Sequence, residues 1–152
     1  MSSLRQLDYW NCWHVSGVRN ARTFFQAIAG LVPDATDLFL EGTSAADIVA
    51  LLQPHIEHTD YTAPIGTIWS WPKNQRFRLR VSPELLARLS ETAAHHAELE
   101  ICNHLHLYRG PEPLVNWFDA FSDPVLVSKT IARETVEQFC REVGGVFSDA
   151  PP

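Results

Sequence analysis

The sequence predicts an α+β fold: one domain in which a mixed sheet of about six to seven strands carries four helices, mainly on one face. Three observations predict it. The 152-residue length suits a single domain. The segments over 75–81 and 98–108 alternate apolar and polar residues with period two, as strands with one buried face do. Segments beginning near 18, 45 and 132 instead repeat their apolar residues at the helical period.

In chain order, 7–15 reads as a strand with apolar residues on both faces (Tyr9, Trp13, Val15; Trp10, Cys12), hence central and doubly covered. After Ser16-Gly17, the helical stripe Val18, Ala21, Phe24, Phe25, Ile28 and Leu31 runs until Pro33. Residues 37–41 form a short strand with Leu38 and Leu40 inward. Thr43 or Ser44 then caps a helix striped by Ala45, Ile48, Val49 and Leu52. Gly42-Thr43-Ser44 is first of all that cap, since no lysine follows to make it a phosphate cradle. The polar stretch 54–64, with His55, His58, Asp60 and Tyr61, reads as a loop. A strand over 65–71 and a turn over 71–74 lead into the strand over 75–81.

Ser82-Pro83-Glu84 combines a cap, a proline at the first helical position and an acid at the positive dipole end, and opens a helix to about residue 95. His95 and His96 then sit near its carboxyl end, where the dipole favours them. The strand over 98–108 stops at Gly110-Pro111, and strands over 114–120 and 125–130 follow. The last helix starts near Ala132 with Ile131 and Val136 as a hydrophobic staple, and Gly144 ends it. About 1–6 and 148–152 read as flexible tails.

Composition narrows the function classes. With 45% apolar residues the chain reads as globular. Its net charge of −6 repels a phosphate backbone, so nucleic-acid binding is disfavoured. No apolar run suits a signal peptide or a membrane span, and the odd count of three widely spaced cysteines (Cys12, Cys102, Cys140) argues against a disulfide framework; a reducing cytoplasm is the expected location. There is no G-x-S-x-G, G-x-G-x-x-G, Walker A, H-E-x-x-H or EF-hand pattern.

The sharpest constellation lies in 98–108. Read as a strand, it puts Glu98, Glu100, Cys102, His104, His106 and Tyr108 on one face and Leu99, Ile101, Leu105 and Leu107 on the other. Histidines two apart stand about 6.6 Å from each other on one face. With Cys102, and with Cys12 and His14 from a neighbouring strand, His104 and His106 are candidate zinc ligands. The plainer reading is a polar sheet face that carries histidines. His96-Ala97-Glu98 has the H-x-E spacing of zinc deaminases, but the companion P-C-x-x-C is missing.

Arg76, Arg78 and Arg80 form a row suited to an anionic ligand or to cross-strand pairing with Glu98 and Glu100. A crossover through the 83–95 helix places the 75–81 and 98–108 strands parallel, adjacent or one apart. The five tryptophans (Trp10, Trp13, Trp69, Trp71, Trp117) are core residues by default, although tryptophan is also enriched at interfaces.

Three functions follow as expectations. The foremost is a small acidic protein that binds a basic partner, a profile shared by antagonists and immunity-type partners of basic toxins or nucleases, with no cofactor. The second is metal-dependent hydrolysis at His104/His106, with Glu98, Glu100 or Tyr108 as acid or base. The third is sensing of a small anion by Arg76, Arg78, Arg80, His104, His106 and Tyr108.

Overall fold

The computed structural model describes residues 4–33, 35–56 and 76–151. Seven strands and five α-helices are present among them: β1 Trp13–Ser16, α1 Ala21–Leu31, β2 Asp37–Glu41, α2 Ala46–Leu52, β3 Arg76–Arg80, α3 Pro83–Ala93, α4 Glu98–Ile101, β4 His104–Arg109, β5 Glu112–Trp117, β6 Val125–Val127, α5 Arg133–Val143 and β7 Val146–Ser148. The strands form one sheet in the order β3-β2-β4-β5-β6-β1-β7. The fold is α+β, as the sequence predicts. The expected strand over 65–71 and turn over 71–74 lie outside the described residues, as do His58, Asp60, Tyr61, Trp69 and Trp71.

Alternation along the strands builds the core. Leu38 and Leu40, Phe77 and Leu79, and Leu105 and Leu107 all point to one face. There they meet Phe24, Phe25 and Ile28 of α1, Ile48 and Leu52 of α2, Leu85 and Leu89 of α3, and Val136 and Phe139 of α5 in one continuous core. Three helix ends follow local chemistry, whereas α2 is capped by neither Thr43 nor Ser44: its cap position is Ala45, with no side-chain hydrogen bond. Ser82 accepts the Leu85 amide at 3.1 Å, Asn20 accepts the Thr23 amide at 3.0 Å, and Gly144 leaves α5 in the left-handed conformation that glycine tolerates. The cap of α1 is therefore Asn20, and the helix begins later than the stripe from Val18 suggests.

Several expectations are corrected. Every pairing among the described residues is antiparallel, not mixed. β3 and β4 do run parallel, one apart, because both pair antiparallel with the intervening β2. The strand expected over 7–15 forms only at Trp13–Ser16 and lies next to the edge strand β7. Asp8 causes this: its carboxylate accepts the Trp10 amide at 3.0 Å and its carbonyl accepts the Asn11 amide at 2.9 Å, turning the chain. Neither predicted tail is loose throughout: Leu4 is buried and Ser148 pairs with His14.

The segment expected to be one strand over 98–108 is split. Glu98–Ile101 is a single helical turn, and the strand begins only at His104. Leu99 is 75% exposed while Ile101 is buried, so the period-two pattern across them is accidental. The turn is zipped to the β2–α2 connection. Ser44 and Ala45 amides donate to the Glu100 carbonyl at 3.0 Å, and Asn103 donates to the Glu41 carbonyl at 2.7 Å. Gly42, at φ +87°, permits the approach, since a Cβ there would stand 2.4 Å from Asn103 Nδ2. Among the described residues no helix is long and apolar enough to cross a membrane.

Candidate functional site

The sheet face turned away from the main core gathers most of the chain's chemistry. Across it in register lie the arginine row of β3, Asp37, Phe39 and Glu41 of β2, and His104, His106 and Tyr108 of β4. Asn116 of β5, Leu126 of β6 and His14 of β1 continue it.

The arginines pair with β2, not with Glu98 and Glu100. Arg78 Nη2 meets Asp37 Oδ2 at 2.6 Å, Arg80 Nε meets Asp37 Oδ1 at 2.9 Å, and Arg76 Nε lies 4.0 Å from Glu41 Oε2. Asp37 and Glu41 are buried, and the Arg78 guanidinium also lies over the Phe39 ring. Acids at positions 37 and 41, on the outward face of an otherwise apolar strand, were the signal for this pairing. The row is thus engaged in ion pairs before any ligand arrives.

The histidines are buried and oriented. The Asp119 amide donates to His104 Nδ1 at 3.1 Å, and Asn116 Nδ2 donates to His106 Nδ1 at 3.1 Å. Each neutral ring therefore carries its proton on Nε2, with its one lone pair already committed to a protein donor. A ligating histidine needs the reverse, a free lone pair facing the metal and an N–H bonded behind. Phe118 packs its ring against both imidazoles, with centroids at 5.9 and 4.8 Å. His106 and Tyr108 do share a network, through Asn116, whose Nδ2 also reaches the Tyr108 hydroxyl at 3.3 Å. Burial pushes the Tyr108 phenol up to about 12, outside the range of a neutral-pH acid or base.

Residues 4–9 cross this face as a strap, and the buried polar groups hold it. Tyr108 donates to the Arg5 carbonyl at 2.5 Å and the Leu7 amide donates to Asn116 Oδ1 at 2.7 Å. The Tyr9 carbonyl accepts from His14 Nε2 at 2.9 Å and from the Cys12 thiol at 3.7 Å. Leu4 packs on Phe39 and Tyr108 as a second small core. Asn116 was not a sequence candidate, although a lone amide in the apolar run Leu114-Val115-Asn116-Trp117 marks it.

The proposed ligand set is only partly brought together. Cys12 Sγ and His14 Nε2 lie 3.6 Å apart. Cys102 lies outside any strand, buried in the helix-side core, instead of on the histidine face. Among the described residues no three His, Cys, Asp or Glu side chains are grouped to hold a metal ion. Burial, with help from Asp8, pushes the Cys12 thiol up to about 11, and burial pushes Cys102 up to about 12. Neither is poised as a thiolate.

His96 leaves the expected dipole role because α3 ends at Ala93. Its Nε2 lies 2.6 Å from Asp47 of α2 and its Nδ1 2.9 Å from Glu100 of α4. Asp47 first, then Glu100, raises the His96 pKa above 6.5, and His96 lowers that of Asp47 below 3.8. The histidine contribution is complete below 6.5 and disappears as pH rises through the raised value. The Asp47 contribution is present above 3.8 and disappears as pH falls through the lowered one. His96→Gln should therefore lower the urea midpoint more at pH 5.5 than at pH 8.5. Equal losses at both pH values would refute the charged clamp.

What the strap leaves outside is an aromatic corner. Trp10 is 76% exposed and Tyr9 42%, with their rings edge-to-face at 5.4 Å. Tyr9 also packs edge-to-face on His14 at 5.0 Å, so the corner is mounted on the sheet. Beside it a groove of about 320 Å³ is lined by Tyr9, Phe118, Asp123, Pro124 and Leu126. The chain matches no family model, no curated protein and no solved structure.

Proposed function

We propose that this chain is a protein-binding domain, an acidic cytoplasmic partner of a basic protein, of the antagonist or immunity type. One observation carries the reading: Trp10, the largest side chain type, stands 76% exposed on a turn that is hydrogen-bonded to the sheet through Tyr9. A tryptophan has only two side-chain torsions to fix on binding and buries a large ring, which is why such residues dominate interface energetics. The net charge of −6 favours a basic partner and speeds the encounter. Three free, buried cysteines support a reducing compartment.

The buried chemistry supports the same reading. His14, Tyr108 and Asn116 each bond to the strap, and Asn116 also bonds to His106, so these groups serve presentation of the corner. The test is co-elution from the cells that make the protein, with the wild-type chain and Trp10→Ser compared at low and high salt. The expected result is a defined basic protein co-eluting with the wild type and weakened at least tenfold by Trp10→Ser, about 1.4 kcal/mol or more. Unfolding should be unaltered, because the side chain is exposed. Recovery of the same proteins by both chains, or of none by the wild type, would sink the proposal.

A further inference from the structure

We infer that residues 118–124 form the ridge of a two-groove docking surface, and that its occupant is a Lys/Arg-rich segment of the partner with apolar anchors. This rests on the protein-binding reading and names the surface and the partner's chemistry. The groove beside Tyr9 bounds the ridge through Phe118, Asp123 and Pro124. A second groove, also about 320 Å³, bounds it through Ala120, Phe121 and Ser122, with Leu99 and Glu98 on its far wall. The large hydrophobics exposed among the described residues are Tyr9, Trp10, Leu99 and Val146. Tyr9 and Leu99 line these grooves, and Trp10 packs on Tyr9. Exposed apolar side chains scattered at random have no reason to flank one loop from both sides.

The ridge is held in an expensive shape. Asp119 and Phe121 adopt φ of +47° and +69°, left-handed values that side chains larger than glycine seldom take. The structure beneath enforces it. His104 accepts the Asp119 amide at 3.1 Å, the Asn103 carbonyl accepts the Ala120 amide at 2.8 Å, and Trp117 Nε1 donates to the Asp123 carbonyl at 2.8 Å. Backbone strain of this kind persists where the surroundings over-determine it, and it concentrates at functional loops. His104 thus has a positioning task that a metal-ligand reading does not supply.

Charge selects the occupant. Glu98 lines one groove, Asp123 lines the other and exposed Asp119 stands on the ridge between them, while Arg19 is the one cation lining either groove. A basic segment neutralises those acids while its apolar side chains enter the grooves, and cations also suit the open Trp10 ring. A second copy of this chain carries the same charge of −6 and is repelled.

The experiment is a photo-crosslink. A benzophenone-bearing residue is substituted at exposed Ser122 in the full chain, which is irradiated in the cells that make it. The expected product joins residue 122 to a Lys/Arg-rich segment of one protein. Its yield should fall at least tenfold in Leu99→Ser and in Asp123→Lys, with thermal unfolding unchanged in both. A crosslink to a second copy or to an acidic segment would overturn the inference, as would a yield indifferent to both substitutions. If Trp10→Ser abolishes co-elution while residue 122 yields no crosslink, the ridge fails and the protein-binding reading stands. If the wild-type chain co-elutes with nothing, both fail.

Discussion

Trp117→Ala should lower the unfolding free energy by about 4 kcal/mol, within the range of 3–5 seen when a buried tryptophan becomes alanine. Trp117 is fully buried at the end of β5, with ring centroids 4.7 Å from Phe24 of α1 and 4.6 Å from Phe121. Truncation removes those contacts, leaves a cavity and deprives the Asp123 carbonyl of its donor. For a chain of this size the loss corresponds to a fall in Tm on the order of 10 °C. Trp117→Phe separates the components: it retains a ring against Phe24 and loses the indole N–H, so a smaller loss of about 1–2 kcal/mol is expected. Urea unfolding of both variants decides this. A loss below about 1 kcal/mol for Trp117→Ala would mean that the core closes over the gap. Because Trp117 supports residues 118–124 from below, the proposed protein-binding function implies that the alanine variant also loses affinity at temperatures where it remains folded.

Asn116→Ala is the second large effect, an expected loss of about 2–4 kcal/mol from several broken bonds at one buried site. The amide accepts from Leu7 and donates to His106 and Tyr108, and the last two are buried away from water that could replace it. The consequence should be local as well as global. With Leu7 released, the strap keeps its hydrogen bonds at the Arg5 and Tyr9 carbonyls and the packing of Leu4, and Trp10 is held less firmly. Hydrogen exchange should show the Leu7 amide losing protection in Asn116→Ala beyond what the change in global stability accounts for. Under the proposed protein-binding function, affinity should fall although Trp10 itself is untouched. Unaltered protection at Leu7 would show that the strap is held by its apolar contacts at Leu4 instead.

The legible parts of the fold are those governed by neighbours in sequence. The inward faces at Leu38/Leu40, Phe77/Leu79 and Leu105/Leu107, the cap at Ser82 and the stop at Gly144 all stand where the pattern puts them. The candidate site was less legible. Tyr9 and Trp10 read as part of a doubly covered strand because Tyr9-Trp10-Asn11-Cys12-Trp13 is apolar enough to be one. The Asp8 turn and the strap contacts outweigh that pattern, so Trp10, read as part of a covered strand, is left in solvent. Period two across 98–108 misled for a related reason. Four acidic and apolar residues fit one helical turn as well as a strand, and the backbone bonds to Glu41, Ser44 and Ala45 chose the turn.

By itself the sequence determined the α+β class, the inward faces of β2, β3 and β4, and the helix ends at Ser82, Ala132 and Gly144, because these depend on alternation, period and capping within a few residues. Tertiary structure alone decided what the polar face does. Asp37 meets Arg78 across 41 positions, Tyr108 meets Arg5 across 103, and Asn116 meets Leu7 across 109. No local rule encodes such pairings, since strand order sets them. They turn a row of apparent ligands into the mounting of an exposed aromatic corner.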